Sequence, residues 1–147
     1  MPLRVEDIMT TKLVKLTEQA SLGDAHEITR DKGIRHLPIV EPESGKLIAV
    51  VTQKAMIAKV INTLALYGGD ALKEQESRTG IMEVAVLDYQ TVKKTDPLSQ
   101  VAPFFLDNKH GCLPVVDDHH CLIGMVTSSD FVKLSVELLK RLETKKE

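Results

Sequence analysis

The residues of this chain best suited to chemistry stand in one string, Gly124-Met125-Val126-Thr127-Ser128-Ser129-Asp130, where an apolar run gives way to the polar start of a helix. Such a junction presents free backbone amides and a partial positive charge, which suit a phosphate, and the Thr127 hydroxyl adds a donor. An aspartate fixed three residues further on accepts hydrogen bonds from vicinal hydroxyls such as those of ribose, and charge-assisted bonds are the stronger kind. Phosphate and ribose together describe a nucleotide. The same residues admit a second reading without any ligand: Thr127 as N-cap and Asp130 in the first turn satisfy orphan amides and complement the helix dipole. The local pattern leaves both readings open.

The elements that position this string occur twice. Leu37-Pro38-Ile39-Val40 recurs as Leu113-Pro114-Val115-Val116, and Leu47-Ile48-Ala49-Val50-Val51-Thr52 recurs as Leu122-Ile123-Gly124-Met125-Val126-Thr127. The offset is 76 at the proline and 75 at the threonine, so only the turn between them differs in length. Upstream, Leu22, Ala25 and Ile28 match Leu98, Val101 and Phe104 as apolar stripes at helical spacing. Each copy therefore reads β-α-β-β-α: a short strand at Val14 or Val92, a helix from about Ser21 or Asp96, two apolar strands around a polar turn, and a closing helix. Ser21 with Asp24 forms a capping pattern, and Asp96 before Pro97 supplies a second N-cap. Pro103 falls inside the first helix of copy two and predicts that this helix is bent or starts late. These signals divide the chain into repeat one at 1–66, a charged connector at 67–80, and repeat two at 81–147, whose last helix runs from Ser128 to about Thr144.

With 147 residues, 43% of them hydrophobic, the chain is long enough for a full core. Nineteen basic against 21 acidic residues give a net charge of −2, which offers no excess of cations for a nucleic-acid backbone. The opening lacks the apolar stretch of a signal peptide, and the greasiest window, Leu47 to Leu66, is broken by Gln53, Lys54, Lys59 and Asn62. A cytoplasmic protein outside the membrane is expected. Cys112 and Cys121 both fall in copy two and read as reduced, packed thiols.

With both copies laid out, each resembles a CBS domain, the module named for cystathionine β-synthase. Its signature is an apolar-Pro-Val stretch, then a small residue, two apolar residues, Thr or Ser, two variable residues and Asp. Val5-Glu6-Asp7-Ile8-Met9-Thr10 resembles the family opening, and Arg35-His36-Leu37-Pro38-Ile39-Val40 the middle strand. The resemblance implies two repeats packed by pseudo-twofold symmetry, dimerised into a disc, with clefts for adenosine compounds such as AMP, ADP, ATP or S-adenosylmethionine acting as regulatory ligands, and no required cofactor. Carried over, it assigns Thr127 and Asp130 to phosphate and ribose. It assigns Ala85, Asp88, Gln90, His110, Gly111, Cys112 and Met125 to the base, and Arg35 and His36 to phosphate from across the pseudo-twofold. Copy one keeps Thr52 but has Ala55 where the aspartate belongs, so a weaker second site is expected around Thr10, Lys12, Val50 and Thr52.

The expected function is thus a non-enzymatic sensor that binds an adenosine nucleotide on repeat two and modulates a client enzyme, transporter or regulator. The competing reading is a ligand-free module that dimerises and docks through the apolar faces of its helices. His119-His120 beside Asp117-Asp118 lacks the spacing of a metal site, and no nucleophile-base arrangement with a supporting motif is present.

Overall fold

In the computed structural model, residues 3–108 and 111–145 are described. The chain forms α1 (Leu22–Lys32), β1 (His36–Val40), β2 (Leu47–Thr52), α2 (Gln53–Tyr67), α3 (Leu72–Arg78), α4 (Leu98–Val101), α5 (Phe104–Asp107), β3 (Cys112–Val116), β4 (Leu122–Thr127) and α6 (Ser128–Lys145). β1 pairs antiparallel with β2, and β3 with β4, each hairpin carrying an irregularity near its tip. The tips explain the change of offset. The first turns through Gly45 at φ 76°, and the second, one residue shorter, turns through His120 at φ 66°. Asp117 Oδ1 fastens that shorter turn by accepting the amides of His119 and Cys121, both at 2.9 Å.

The chain divides into two compact units that do not follow its order: Val14–Tyr89 makes one, and Met1–Leu13 with Gln90–Glu147 makes the other. Each takes its opening segment from the far half of the chain. In the contiguous unit, Gly80 pairs with Ser21 and Val86 with Val50; in the discontinuous unit, Arg4 pairs with Pro97 and Thr10 with Met125. These are matched positions of the repeat. Val5 and Ile81, also matched, are both fully buried, each in the core of its own unit. On the opposite edge of each hairpin a single parallel bridge, Leu16 to Ile39 or Val92 to Val115, is all that forms of the short strand expected at Val14 and Val92.

The start of α1 follows its local capping motif and that of α4 does not. Ser21 Oγ accepts the amide of Asp24 at 3.1 Å and Asp24 Oδ2 accepts that of Ser21 at 3.0 Å, a reciprocal capping box. In copy two the expected cap, Asp96, is replaced by Pro97, because the Asp96 carboxylate turns back to the amide of Lys93 at 2.9 Å. Pro103 divides what is one helix in copy one into α4 and α5, the predicted bend. The segment read as a connector contains α3, which packs on α1 and α2 and buries Glu76, whose Oε1 lies 3.0 Å from His26 Nδ1.

Candidate functional site

In the discontinuous unit, β4 runs directly into α6 and carries Thr127 and Asp130 to the edge where the opening segment docks. The docking is close. Thr10 and Met125 exchange two backbone hydrogen bonds of 2.9 Å, and a Cβ added at Gly124 would lie 2.7 Å from Met9 Sδ and 3.2 Å from the Thr10 carbonyl oxygen. Met9 occupies the space that a side chain at 124 would take, so any larger residue there must displace it. At the matched place in the other unit the residues are Ala49 and Ala85, both packed in the same core.

Asp130 is 5% exposed, and its carboxylate is held from two sides. Oδ2 accepts the amide of Thr127 at 2.9 Å and the Thr127 hydroxyl at 3.4 Å, while Oδ1 accepts the hydroxyl of Thr10 at 3.0 Å. Thr127 Oγ1 also shares a proton with Ser129 Oγ at 2.9 Å. Asp130 thus fills the acceptor half of the foreseen cap by taking the Thr127 amide, while Thr127 Oγ1 pairs with side-chain oxygens of Asp130 and Ser129. At the matched junction Thr52 Oγ1 caps α2 by accepting the amide of Ala55 at 3.1 Å. Asp130 and its partner Thr10 have no polar counterparts there: Ala55 stands for Asp130, and Val86 for Thr10.

The exchange of opening segments redistributes the residues named from the sequence. Thr10 and Lys12, expected beside Thr52, belong to the unit of Asp130, and Thr10 touches that carboxylate. Ala85 and Asp88, expected beside Asp130, belong to the unit of Thr52, where neighbouring Val86 pairs with Val50. The cause is that a segment preceding a repeat completes the sheet edge of the other one. Its signal was in the sequence: Met9 needs a glycine opposite and Ala85 does not, while Thr10 offers Asp130 a donor and Val86 faces a junction without an acid.

Gln90, Gly111, Cys112 and Met125 lie in the unit of Asp130, and His110 falls outside the described residues. Gln90 lines a cavity of about 220 Å³ with Val92, Asp96, Gln100, Phe104 and Leu113. A Cβ on Gly111 would meet the Phe104 ring at 2.9 Å and Asn108 Cβ at 3.0 Å, so packing accounts for that glycine. Burial pushes the Cys112 thiol up to about 12, which leaves it protonated and a poor nucleophile. In the other unit His36 opens β1 and Arg35 precedes it, its carbonyl accepting the Gln53 amide at 2.8 Å. No helix among the described residues is long and apolar enough to cross a membrane.

The sequence pattern of the CBS domain matches residues 5–62 and 81–137. The fold is similar to that of the AcuB protein from Vibrio cholerae, with a TM-score of 0.80, 31% identity and 98% of each chain covered. It is similar to the CBS domain pair of protein MJ0100 in complex with 5′-methylthioadenosine and S-adenosylmethionine (TM-score 0.73, 26% identity, 93% of this chain and 98% of that one). It is also similar to CBSX2 in complex with AMP (TM-score 0.75, 25% identity, 92% and 97%). Among curated proteins, homoserine O-acetyltransferase of Methanocorpusculum labreanum is 32% identical over 86% of this chain, which spans only 23% of that longer protein.

Proposed function

Because the chain belongs to the CBS domain family, we propose that it is a regulatory module that binds an adenosine-containing ligand on the unit carrying Asp130 and modulates a client enzyme, transporter or regulator. The observation that carries this reading is the uneven furnishing of two like junctions. One holds a buried carboxylate with a threonine on either side; the other holds Ala55 and Val86. The three small molecules held by MJ0100 and CBSX2 have adenosine in common, which argues for recognition of the nucleoside. Ribose hydroxyls donate to Asp130, and a phosphate meets the amides and hydroxyls at the start of α6. Gln90, Cys112 and Met125 flank the base. A ligand of this kind regulates only if it binds two arrangements of the protein unequally.

Thermal unfolding with AMP, ADP, ATP, 5′-methylthioadenosine and S-adenosylmethionine tests the reading. A ligand at 100 times its dissociation constant adds about 2.7 kcal/mol, or about 5–11 °C for a domain of this size. Asp130→Asn keeps the shape and one acceptor oxygen but loses the charge, and it should abolish most of that shift. No shift with any of the five compounds defeats the proposal.

A second reading, dimerisation and docking without a ligand, draws on the apolar residues that α2 and α6 leave exposed, among them Ile57, Ile61, Val132, Leu139 and Leu142. Sedimentation at micromolar concentration gives a dimer mass if those faces pair between copies, and a monomer mass if they do not.

A further inference from the structure

We infer that the unit of Val14–Tyr89 carries a small-molecule site of its own, in the groove between α1 and α2, and that it takes a small aromatic acid. The groove holds a cavity of about 340 Å³ lined by His26, Thr29 and Arg30 of α1 and by Met56, Ile57 and Ile61 of α2. That volume falls within the ~300–1,000 Å³ usual for small-molecule sites. All of these residues belong to one unit, the one without Asp130.

The repeat shows what the cavity is shaped for. Thr29 matches Phe105 at the offset of 76, and Met56 matches Phe131 at the offset of 75. In the other unit those two rings pack on each other between α5 and α6, with centroids 5.1 Å apart and planes tilted by 52°. Threonine and methionine at the matched places leave the room of the rings, and the Met56 thioether is a favourable neighbour for an aromatic ring. The polar groups are also peculiar to this copy, since His26 stands for Ala102 and Arg30 for Leu106.

Both polar groups are placed for an acid. His26 Nδ1 lies 3.0 Å from Oε1 of Glu76, whose side chain is only 10% exposed. The buried carboxylate fixes the imidazole through one nitrogen and leaves Nε2 for a ligand. Arg30 meets Asp31 through Nε at 3.1 Å, and both side chains are 64% exposed. A pair so exposed holds weakly, and the two Nη groups of the guanidinium suit a bidentate grip on a carboxylate. An aromatic ring over Met56 and Ile57, with its carboxylate toward Arg30 and His26, uses both ends of the cavity.

The test is an NMR titration of the full chain with benzoate and with benzamide, its uncharged isostere, followed through the amides of α1 and α2. Wild type should bind benzoate about tenfold more tightly than benzamide, the equivalent of one hydrogen bond to a charged group. Arg30→Gln, a change on the exposed surface of α1, should bring the two compounds within about twofold of each other. Thr29→Phe combined with Met56→Phe copies the aromatic pair of the other unit and should bind neither compound. If that filled protein does not fold, Arg30→Gln still decides. Absence of shifts with both compounds at millimolar concentration overturns the site, and so does unchanged binding by a folded, filled protein. Equal affinity of wild type for benzoate and benzamide, or an unchanged preference in Arg30→Gln, overturns the choice of an acid. A dimer mass in sedimentation that falls to the monomer mass on filling, without ligand shifts, gives the groove to a second copy and overturns the proposal. None of these outcomes bears on the adenosine reading, which concerns the other unit.

Discussion

Replacing Gly124 by alanine isolates the fit between the opening segment and the second hairpin. The added Cβ lands 2.7 Å from Met9 Sδ and 3.2 Å from the Thr10 carbonyl oxygen, well inside the ~3.5–4.0 Å optimum of a carbon contact. Overpacking of this kind costs about 1–3 kcal/mol. Alanine also restricts the unfolded chain, which returns about 0.4–1 kcal/mol at a position of ordinary φ. The net expectation is a loss of about 1–2 kcal/mol, or about 2–8 °C in Tm. Met9→Ala alone should cost a similar ~1–2 kcal/mol, since that side chain is half-buried. The double variant restores the Ala–Ala combination that Ala49 and Ala85 provide in the other unit. It should therefore be more stable than the sum of the single losses by about 1 kcal/mol or more. Urea unfolding of all four proteins gives the coupling directly. Additivity within about 0.5 kcal/mol would refute the reasoning, because contacting residues must couple and distant ones do not.

Three further expectations follow from the same geometry. Cys112, with its thiol pushed up to about 12 from 9.0, should resist iodoacetamide at pH 8.5 in the native chain and react once urea unfolds it, as read by site-resolved mass spectrometry. Its burial contributes stability that is fully present below pH 9 and fades as the pH rises toward 12, because only the unfolded thiol ionises in that window; comparable alkylation of native and unfolded chains would contradict both statements. The Asp117 carboxyl, held low first by the amide of Cys121 and then by that of His119, should titrate below 3.8 in a carbon-detected NMR experiment. Whatever it adds to stability is present above that pH and lost below, and a midpoint at or above 3.8 would count against the turn as described. Ser21→Ala removes one side of the capping box and should cost about 1 kcal/mol, whereas Asp96→Ala should leave the start of α4 in place and loosen the turn at Lys93 instead, which amide exchange at residues 93 and 98 distinguishes.

Much of this architecture is legible in the residues because it is local. The repeated hairpins follow from apolar runs around a turn, the Ser21 cap from a motif four residues long, and the break between α4 and α5 from one missing amide at Pro103. Asp96 is no cap because its carboxylate accepts the amide of Lys93, while the first amide of α4, that of Leu98, donates to the carbonyl of Leu3. The exchange of opening segments was harder to read. Residues 4–10 and 80–86 occupy matched positions of the repeat, and what tells them apart is side chains meeting across the fold: Met9 against Gly124, Thr10 against Asp130. For the same reason the string 124–130 marks Asp130 as a candidate but does not reveal its partner Thr10, which the repeat pattern sets beside Thr52.

The division of the chain into one contiguous and one discontinuous unit also sets an order of events during synthesis. The unit of Val14–Tyr89 has all its parts once residue 89 has emerged. The other begins with Val5, Met9 and Thr10 and waits for partners as far on as Asp130, 120 residues after Thr10. At about 5–20 residues per second, that wait is roughly 6–24 s. Through it the chain carries a short apolar flag, Val5-Glu6-Asp7-Ile8-Met9, with its own sheet edge not yet made. The buried carboxylate is thus among the last features to be assembled, and only a chain made through α6 possesses it.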